Sequence, residues 1–357
     1  MELVETCNRD FENSASKLLS SSVFDFFSGG ATDEITLREN ETAYHKLKLC
    51  PKVLTGGGEP ETRLQLFGQM LEMPVLVAPM AFQRLCHENG ELETAEGTNL
   101  ANTLMVVSTY STTPLEKVVA VSSRKPWFQL YILKDRGLTR EIIQLAESLG
   151  CSALVITVDA PVYGKREREL KNPLNMNIQL PDLQKIIQKS FPELELNNAK
   201  QLSSFLDQNI SWKDISWIKS ITKMPIILKG ILRADDAQFA LNHNVNGIVI
   251  SNHGGRQLDT TPTSISALPR IVDVVGKDLD ILIDGGIRRG EDVFKALALG
   301  AKAVLVGRPI IWGLASEGRV GVHKVLSSIL HELYLTMQLC GCKKITEITR
   351  DFVEVFQ

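Results

Sequence analysis

What most constrains this chain is a succession of eight short apolar runs separated by stretches long enough to hold a helix. In order they are Pro74 to Ala78, Leu104 to Ser108, Trp127 to Tyr131, Ala153 to Asp159, Pro225 to Lys229, Gly247 to Ser251, Asp280 to Asp284 and Ala303 to Gly307. Runs that are apolar throughout suit strands buried on both faces, which occur in parallel sheets covered by helices. Helical patterns such as Glu91 to Ala101, Thr139 to Ser148, Ala234 to Asn242, Ser264 to Val275 and Gly290 to Ala298 supply the crossovers. Eight strand-helix units close a sheet on itself, so the expected class is α/β, a (β/α)8 TIM barrel.

One domain of this kind accounts for residues 1–357, with 1–73 an N-terminal helical extension and 74–341 the barrel. Within the extension, Arg63 to Phe67, Gly68 and Gln69 to Glu72 read as a hairpin that plugs the amino-terminal mouth of the barrel; the rest reads as decoration. Residues 161–209, rich in Asn, Gln, Ser and Lys, exceed an ordinary connection and read as a lid over the site. A short helix is expected inside it from Pro181 to Ser190, with proline in the first turn.

Composition narrows the partners. A formal net charge of −3 leaves no basic footprint for nucleic acid, and no apolar run approaches the length of a membrane span. The expected partner is a small molecule. The amino terminus shows no cationic region followed by an apolar core, and the chain ends in Phe356-Gln357 rather than a Ser-Lys-Leu tripeptide, so the expected location is cytoplasmic. The six cysteines show no C-x-x-C pair and no zinc-ligand spacing, so no metal is expected; Cys340 and Cys342 read as packed thiols rather than a redox pair.

Barrel active sites are assembled at the carboxyl ends of strands. Here those ends carry Ser108, Gln129 with Tyr131, Thr157 with Asp159, Lys229, Ser251 with His253, Asp284 and Arg308. Solvation where strands emerge accounts for Ser and Thr but poorly for Lys229 and Asp159. His253 followed by Arg256 sets a proton acceptor beside a carboxylate clamp, which suits an anionic small acid. Asp159 can hold the imidazole and stabilise its charged form. Arg166 reads either as a second grip on a carboxylate or as part of the solvated run Lys165 to Glu169. Asp284-Gly285-Gly286-Ile287-Arg288, opening a helix after the seventh run, and Gly307-Arg308 after the eighth stand where barrels hold phosphate. Lys229 in the barrel mouth needs an anionic partner; a reduced flavin supplies one, and a Schiff-base lysine is the rival reading.

The blocks Ser251 to Asp259 (SNHGGRQLD), Thr157 to Pro161 (TVDAP), Phe128 to Tyr131 (FQLY), Leu228 to Gly230 (LKG) and Asp284 to Gly290 (DGGIRRG) resemble the FMN-dependent L-2-hydroxy acid oxidases. That family includes glycolate oxidase, lactate oxidase and mandelate oxidases and dehydrogenases, and the resemblance runs from Phe24 to Gly341. It implies FMN as cofactor and His253 as catalytic base with Asp159 as its partner. Arg166 and Arg256 would bind the substrate carboxylate, Tyr131 the substrate oxygen, and Tyr110 and Phe26 would line the substrate pocket. Ser108, Gln129, Thr157, Lys229 and Ser251 would contact the flavin, with Pro79, Met80 and Ala81 behind the ring. Asp284, Gly285, Gly286, Arg288, Gly307 and Arg308 would take the ribityl chain and phosphate.

The implied reaction is two-electron oxidation of a 2-hydroxy acid to the 2-keto acid, with oxygen reduced to hydrogen peroxide, in a homotetramer or octamer. Lactate or glycolate oxidase, quinone-linked mandelate or lactate dehydrogenase and lactate monooxygenase activities are the alternatives within the family, and a catalytically silent flavin- or phosphate-binding protein the alternative outside it. Ala81, where some mandelate dehydrogenases have glycine, favours oxygen. Two positions depart from the small-acid pattern: Phe26 stands where small-acid oxidases carry tyrosine, and Tyr110 where glycolate oxidase has tryptophan. Long-chain hydroxy acid oxidases share the phenylalanine, so the expected substrate is a medium or long-chain acid or an aromatic one like mandelate.

Overall fold

Each of the eight apolar runs forms a strand in the computed structural model, which describes residues 8–174, 179–189, 193 and 199–355. The strands are β1 (Val75–Val77), β2 (Val106–Ser108), β3 (Trp127–Leu130), β4 (Leu154–Thr157), β5 (Ile226–Ile231), β6 (Gly247–Ile250), β7 (Asp280–Asp284) and β8 (Ala303–Val306). All neighbours are parallel, β8 pairs with β1, and a bridge between Val77 and Met105 closes the ring beside β2. This is the (β/α)8 barrel expected from the sequence.

Side-chain alternation divides each strand between two cores. Leu76, Val106, Trp127, Val155, Ile227, Val249, Leu282 and Leu305 pack together inside the barrel. Their neighbours, such as Val77, Val107, Phe128, Ile156, Leu228, Ile250 and Val304, pack outward on the helices. Both faces are apolar because both are buried. Two residues beyond the inner apolar layer, the same inward row continues as Ser108, Gln129, Thr157, Lys229, Ser251 and Asp284. A strand period of two therefore aims a polar ring at the carboxyl end of the barrel.

Crossover helices Ala234–Asn242, Ser264–Val275 and Gly290–Ala298 have the expected bounds. The helix expected from Thr139 starts earlier, at Arg136, because the Asp135 carboxylate accepts from Gly137 N at 2.6 Å and Leu138 N at 3.1 Å. After β8 a helix runs from Arg308 to Cys340, with Glu317 and Gly318 breaking its helical geometry.

The hairpin Leu64–Leu66/Gln69–Leu71 does plug the amino-terminal mouth. Gln69 Nε2 donates to Lys125 O at 2.9 Å and Ser152 Oγ at 2.7 Å, and the Phe67 ring lies 5.4 Å from that of Trp127. The rest of the extension is not decoration. Helices Ser21–Ser28 and Ile35–His45 lie against the opposite mouth, where Asp259 accepts from Thr32, Ile35 and Thr36 and the side-chain amides of Asn40 and Asn252 pair. Burial opposes the Asp259 charge, but these donors win and hold its pKa down to about 2.

Between β4 and β5 lie helices Glu167–Lys171, Pro181–Gln188, Ala199–Phe205 and Trp212–Ile221. The helix expected from Pro181 runs to Gln188, and the expected end at Ser190, like 175–178, 191–192 and 194–198, lies outside the described residues. Cys340 and Cys342 are buried free thiols, as expected. No described helix is long and apolar enough to cross a membrane.

Candidate active site

The loop after β6 turns through three consecutive left-handed residues, His253 (φ 59°), Gly254 (φ 65°) and Gly255 (φ 73°). Glycine takes this conformation freely, whereas histidine is strained in it and must be held. Ser251 Oγ holds it, accepting from His253 N at 3.0 Å. The turn swings the imidazole over the barrel mouth, where Nδ1 meets Asp159 Oδ1 at 3.0 Å across 94 residues of sequence. Gly230 leaves room for this carboxylate, since a Cβ there would lie 2.6 Å from Asp159 Cβ and Cγ.

Burial pushes the His253 pKa down and outweighs Asp159, which raises it; Lys229 and Arg166 lower it further. Burial opposes the Asp159 charge, but His253 and Lys229 hold its pKa below the ordinary value. The pair is thus a neutral imidazole on an ionised carboxylate, which leaves Nε2 as the acceptor. Tyr131, raised by burial and by Asp159, keeps its phenolic proton and can donate it.

Lys229 Nζ lies 2.9 Å from Asp284 Oδ2 and donates to Ser251 Oγ at 3.0 Å. Burial opposes its charge, but Asp284 and Asp159 prevail and raise its pKa. A protonated amine is no nucleophile, which counts against the Schiff-base reading. Gln129 ties Ser108 to Thr157, accepting from Ser108 Oγ at 3.1 Å and donating to Thr157 Oγ1 at 2.9 Å. Gln129, Thr157, Ser251 and Asp159 stand just behind the cavity wall, whereas every other residue expected in the site lines it.

The wall accommodates a flavin mononucleotide. Asp284 Oδ1 is buried with no partner among the described residues, as suits an acceptor awaiting a ribityl hydroxyl. The Gly285-Gly286 turn and the start of the long helix at Gly307, which no side chain caps, border the same cavity. Pro79, Met80 and Ala81 form one side.

The two arginines expected on the phosphate have protein partners. Arg308 donates to the carbonyls of Phe27 (2.9 Å), Gly254 (3.0 Å) and Gly29 (2.9 Å), and Arg288 to Glu41 Oε1 (2.6 Å) and Ile287 O (3.0 Å). Burial, together with Arg256 and Arg288, lowers Arg308 to about 9, so it remains cationic at neutral pH. Each lines the cavity from these anchored positions.

Arg166 and Arg256 meet on the other side, Arg166 Nε donating to Arg256 O at 3.2 Å. Arg166 is 7% exposed, which excludes the solvated-run reading. Arg256 Nη1 donates to Phe26 O at 2.6 Å and Gly29 O at 2.8 Å, and its guanidinium lies 5.1 Å from the Phe26 ring. Phe26, Phe82, Tyr110 and Tyr131 form a continuous aromatic wall, with successive ring centroids 5.6, 6.0 and 5.0 Å apart. The Tyr110 hydroxyl is buried without a partner among the described residues.

Sequence reasoning missed Phe82, Tyr163, Leu202 and Leu206, which also line the cavity. Phe82 follows the Pro79–Ala81 segment directly. The other three sit in the connection after β4, where no periodic pattern distinguishes an inward side chain from a solvated one.

This site belongs to a flavin-dependent redox enzyme built on a (β/α)8 barrel. The chain is a member of the FMN-dependent dehydrogenase family, whose sequence pattern it matches over residues 15–355, and its cofactor is therefore FMN. It is 44% identical over 354 residues to an L-lactate oxidase of Nostoc, covering 97% of each chain. To human 2-hydroxyacid oxidase 2 it is 42% identical over 350 residues, 98% of each chain. A peroxisomal (S)-2-hydroxyacid oxidase of Arabidopsis thaliana is 41% identical over 345 residues, 96% of this chain and 95% of the relative. A crystal structure of mandelate oxidase superimposes with a TM-score of 0.87 at 36% identity, covering 98% of both chains.

Proposed function

We propose that this enzyme oxidises a medium or long-chain or aromatic L-2-hydroxy acid to the 2-keto acid and passes the electrons to oxygen, forming hydrogen peroxide. The observation that carries the reading is the His253–Asp159 contact of 3.0 Å in a cavity that also presents Arg166 and Arg256. A binding protein needs no such base beside a carboxylate clamp. Bound FMN supplies the acceptor for the two electrons that leave the α-carbon.

The side chains divide the remaining work. Arg166 and Arg256 take the substrate carboxylate and orient the α-carbon. Tyr131 donates to the substrate oxygen. His253 Nε2 receives a proton, and Asp159 stabilises the imidazolium that results. Asp284 and the Gly285-Gly286 turn would hold the ribityl chain, and the helix start at Gly307 the phosphate, with Arg288 and Arg308 flanking it. Lys229 keeps a positive charge at the polar ring. A homotetramer or octamer and a cytoplasmic location complete the proposal.

The base is active only when neutral, so activity falls as pH drops through the pKa of His253. That pKa lies below the ordinary 6.5. The acidic limb of anaerobic flavin reduction is therefore expected below pH 6.5, and Asp159→Asn, by removing the group that raises the pKa, shifts it lower still while slowing the reaction. A limb that stays in place in this variant contradicts the pairing.

Phe26 decides substrate size. A tyrosine hydroxyl at this position could donate to the carboxylate, a charged hydrogen bond of about 1.5–3 kcal/mol that phenylalanine forfeits. A longer acid recovers the loss on the aromatic wall, because each buried methylene contributes about 0.8 kcal/mol. We expect kcat/KM for L-mandelate, or for an acid of about six carbons or more, to exceed that for glycolate. Phe26→Tyr should narrow the gap mainly through a lower KM for glycolate. Preference of the unmodified enzyme for glycolate would overturn the assignment.

A further inference from the structure

Arg166 and Arg256 share a carboxylate that the reaction does not use. Glu169 Oε1 accepts from Arg166 Nη1 at 3.1 Å and from Arg256 Nη2 at 3.3 Å. Its other oxygen accepts from the Tyr163 hydroxyl at 2.7 Å, and that hydroxyl accepts from Arg166 Nη1 at 2.5 Å. The Arg166 guanidinium also lies over the Tyr163 ring, with Cζ 4.0 Å from the ring centroid. Glu169 sits on the short helix Glu167–Lys171, so it is delivered by the connection over the barrel mouth rather than by the barrel.

The side chains of Arg166, Arg256 and Glu169 are 7%, 15% and 13% exposed, so solvent screens their charges weakly. Arg256 Nη1 is already committed to the carbonyls of Phe26 and Gly29. Glu169 thus engages donors that remain for a ligand and cancels one of the two positive charges. A seat with two arginines and no acid would balance either a monoanion or a dianion; with Glu169 present, one carboxylate brings it to neutrality and a second finds no positive charge left to balance it.

We propose that Glu169 is a specificity-determining residue, the resident counter-carboxylate of the substrate seat, which weakens the grip on every carboxylate and disfavours dicarboxylates most. This rests on the reading of Arg166 and Arg256 as the carboxylate seat. A role in merely propping the arginines would have the opposite sign, because losing the prop would loosen the seat.

The test titrates the FMN-loaded enzyme with acetate and with malonate, neither of which carries a hydroxyl to oxidise. Binding is followed by calorimetry and by the change in flavin absorbance. Glu169→Gln preserves size and an acceptor oxygen while removing the charge. It is expected to tighten acetate about tenfold and malonate by more, and Glu169→Ala should move both in the same direction. Unchanged or weaker binding in the neutral variants, with acetate still dependent on Arg166, overturns the assignment of Glu169 alone. Acetate binding that is insensitive to Arg166→Met places the seat elsewhere and refutes the functional reading with it.

Discussion

Replacing His253 with glutamine is expected to leave FMN bound and to slow flavin reduction by about 10²- to 10⁴-fold. Glutamine spans a similar length, but its amide cannot take up a proton at neutral pH. Asp159, which meets His253 at 3.0 Å, would then have no imidazolium to stabilise. The fold around the turn should persist, because the main-chain N–H of residue 253 can still donate to Ser251 Oγ. Anaerobic stopped-flow spectroscopy reads the effect directly; a variant that reduces its flavin at the unmodified rate would remove His253 from the chemistry.

Arg166→Met should raise the dissociation constant of substrate by about 30-fold to several thousandfold, the equivalent of roughly 2–5 kcal/mol for truncating one partner of a buried charged contact. Arg166 is a cleaner target than Arg256, whose Nη1 also binds Phe26 O and Gly29 O and so fastens the helix Ser21–Ser28 to the barrel mouth. Methionine keeps an unbranched stem while removing the guanidinium that lies over the Tyr163 ring. The loss should appear in kcat/KM and in the affinity for the keto acid product alike. A change below about threefold would show that Arg166 does not hold the carboxylate.

Much of this architecture was legible in the chain itself. Strands buried on both faces have no polar positions to obscure them, and the period of two carries each inward row from an apolar residue such as Ile227 to a polar one such as Lys229. That pattern marks the carboxyl mouth without reference to any homologue. Strand ends already offered Asp159 as the carboxylate for the His253 imidazole, and the family resemblance implied the same pair; the 3.0 Å contact shows that the two groups touch.

What escaped reading has a common physical cause. Arg308 and Arg256 bind main-chain carbonyls at Phe26, Phe27 and Gly29, and a carbonyl is present at every position of every sequence. The extension therefore looked dispensable although it supplies a wall of the site. Glu169 was hidden for a related reason: in the run Lys165 to Glu169, a buried acid and a solvated one are spelled alike. Only the fold shows that Glu169 turns inward between two arginines.

Removal of two electrons from the α-carbon of an L-2-hydroxy acid in this cavity has a direct optical readout, the bleaching of bound FMN. It is tested most directly by mixing the FMN-loaded enzyme anaerobically with L-mandelate, L-2-hydroxyoctanoate, L-lactate, glycolate and D-mandelate, then admitting oxygen. Rapid bleaching of the flavin is expected with L-mandelate or L-2-hydroxyoctanoate, slower bleaching with glycolate and none with D-mandelate. One keto acid should form per flavin reduced, and oxygen should restore the colour with one hydrogen peroxide per flavin. Flavin that stays oxidised with every L-acid, in protein that holds a full complement of FMN, would contradict it.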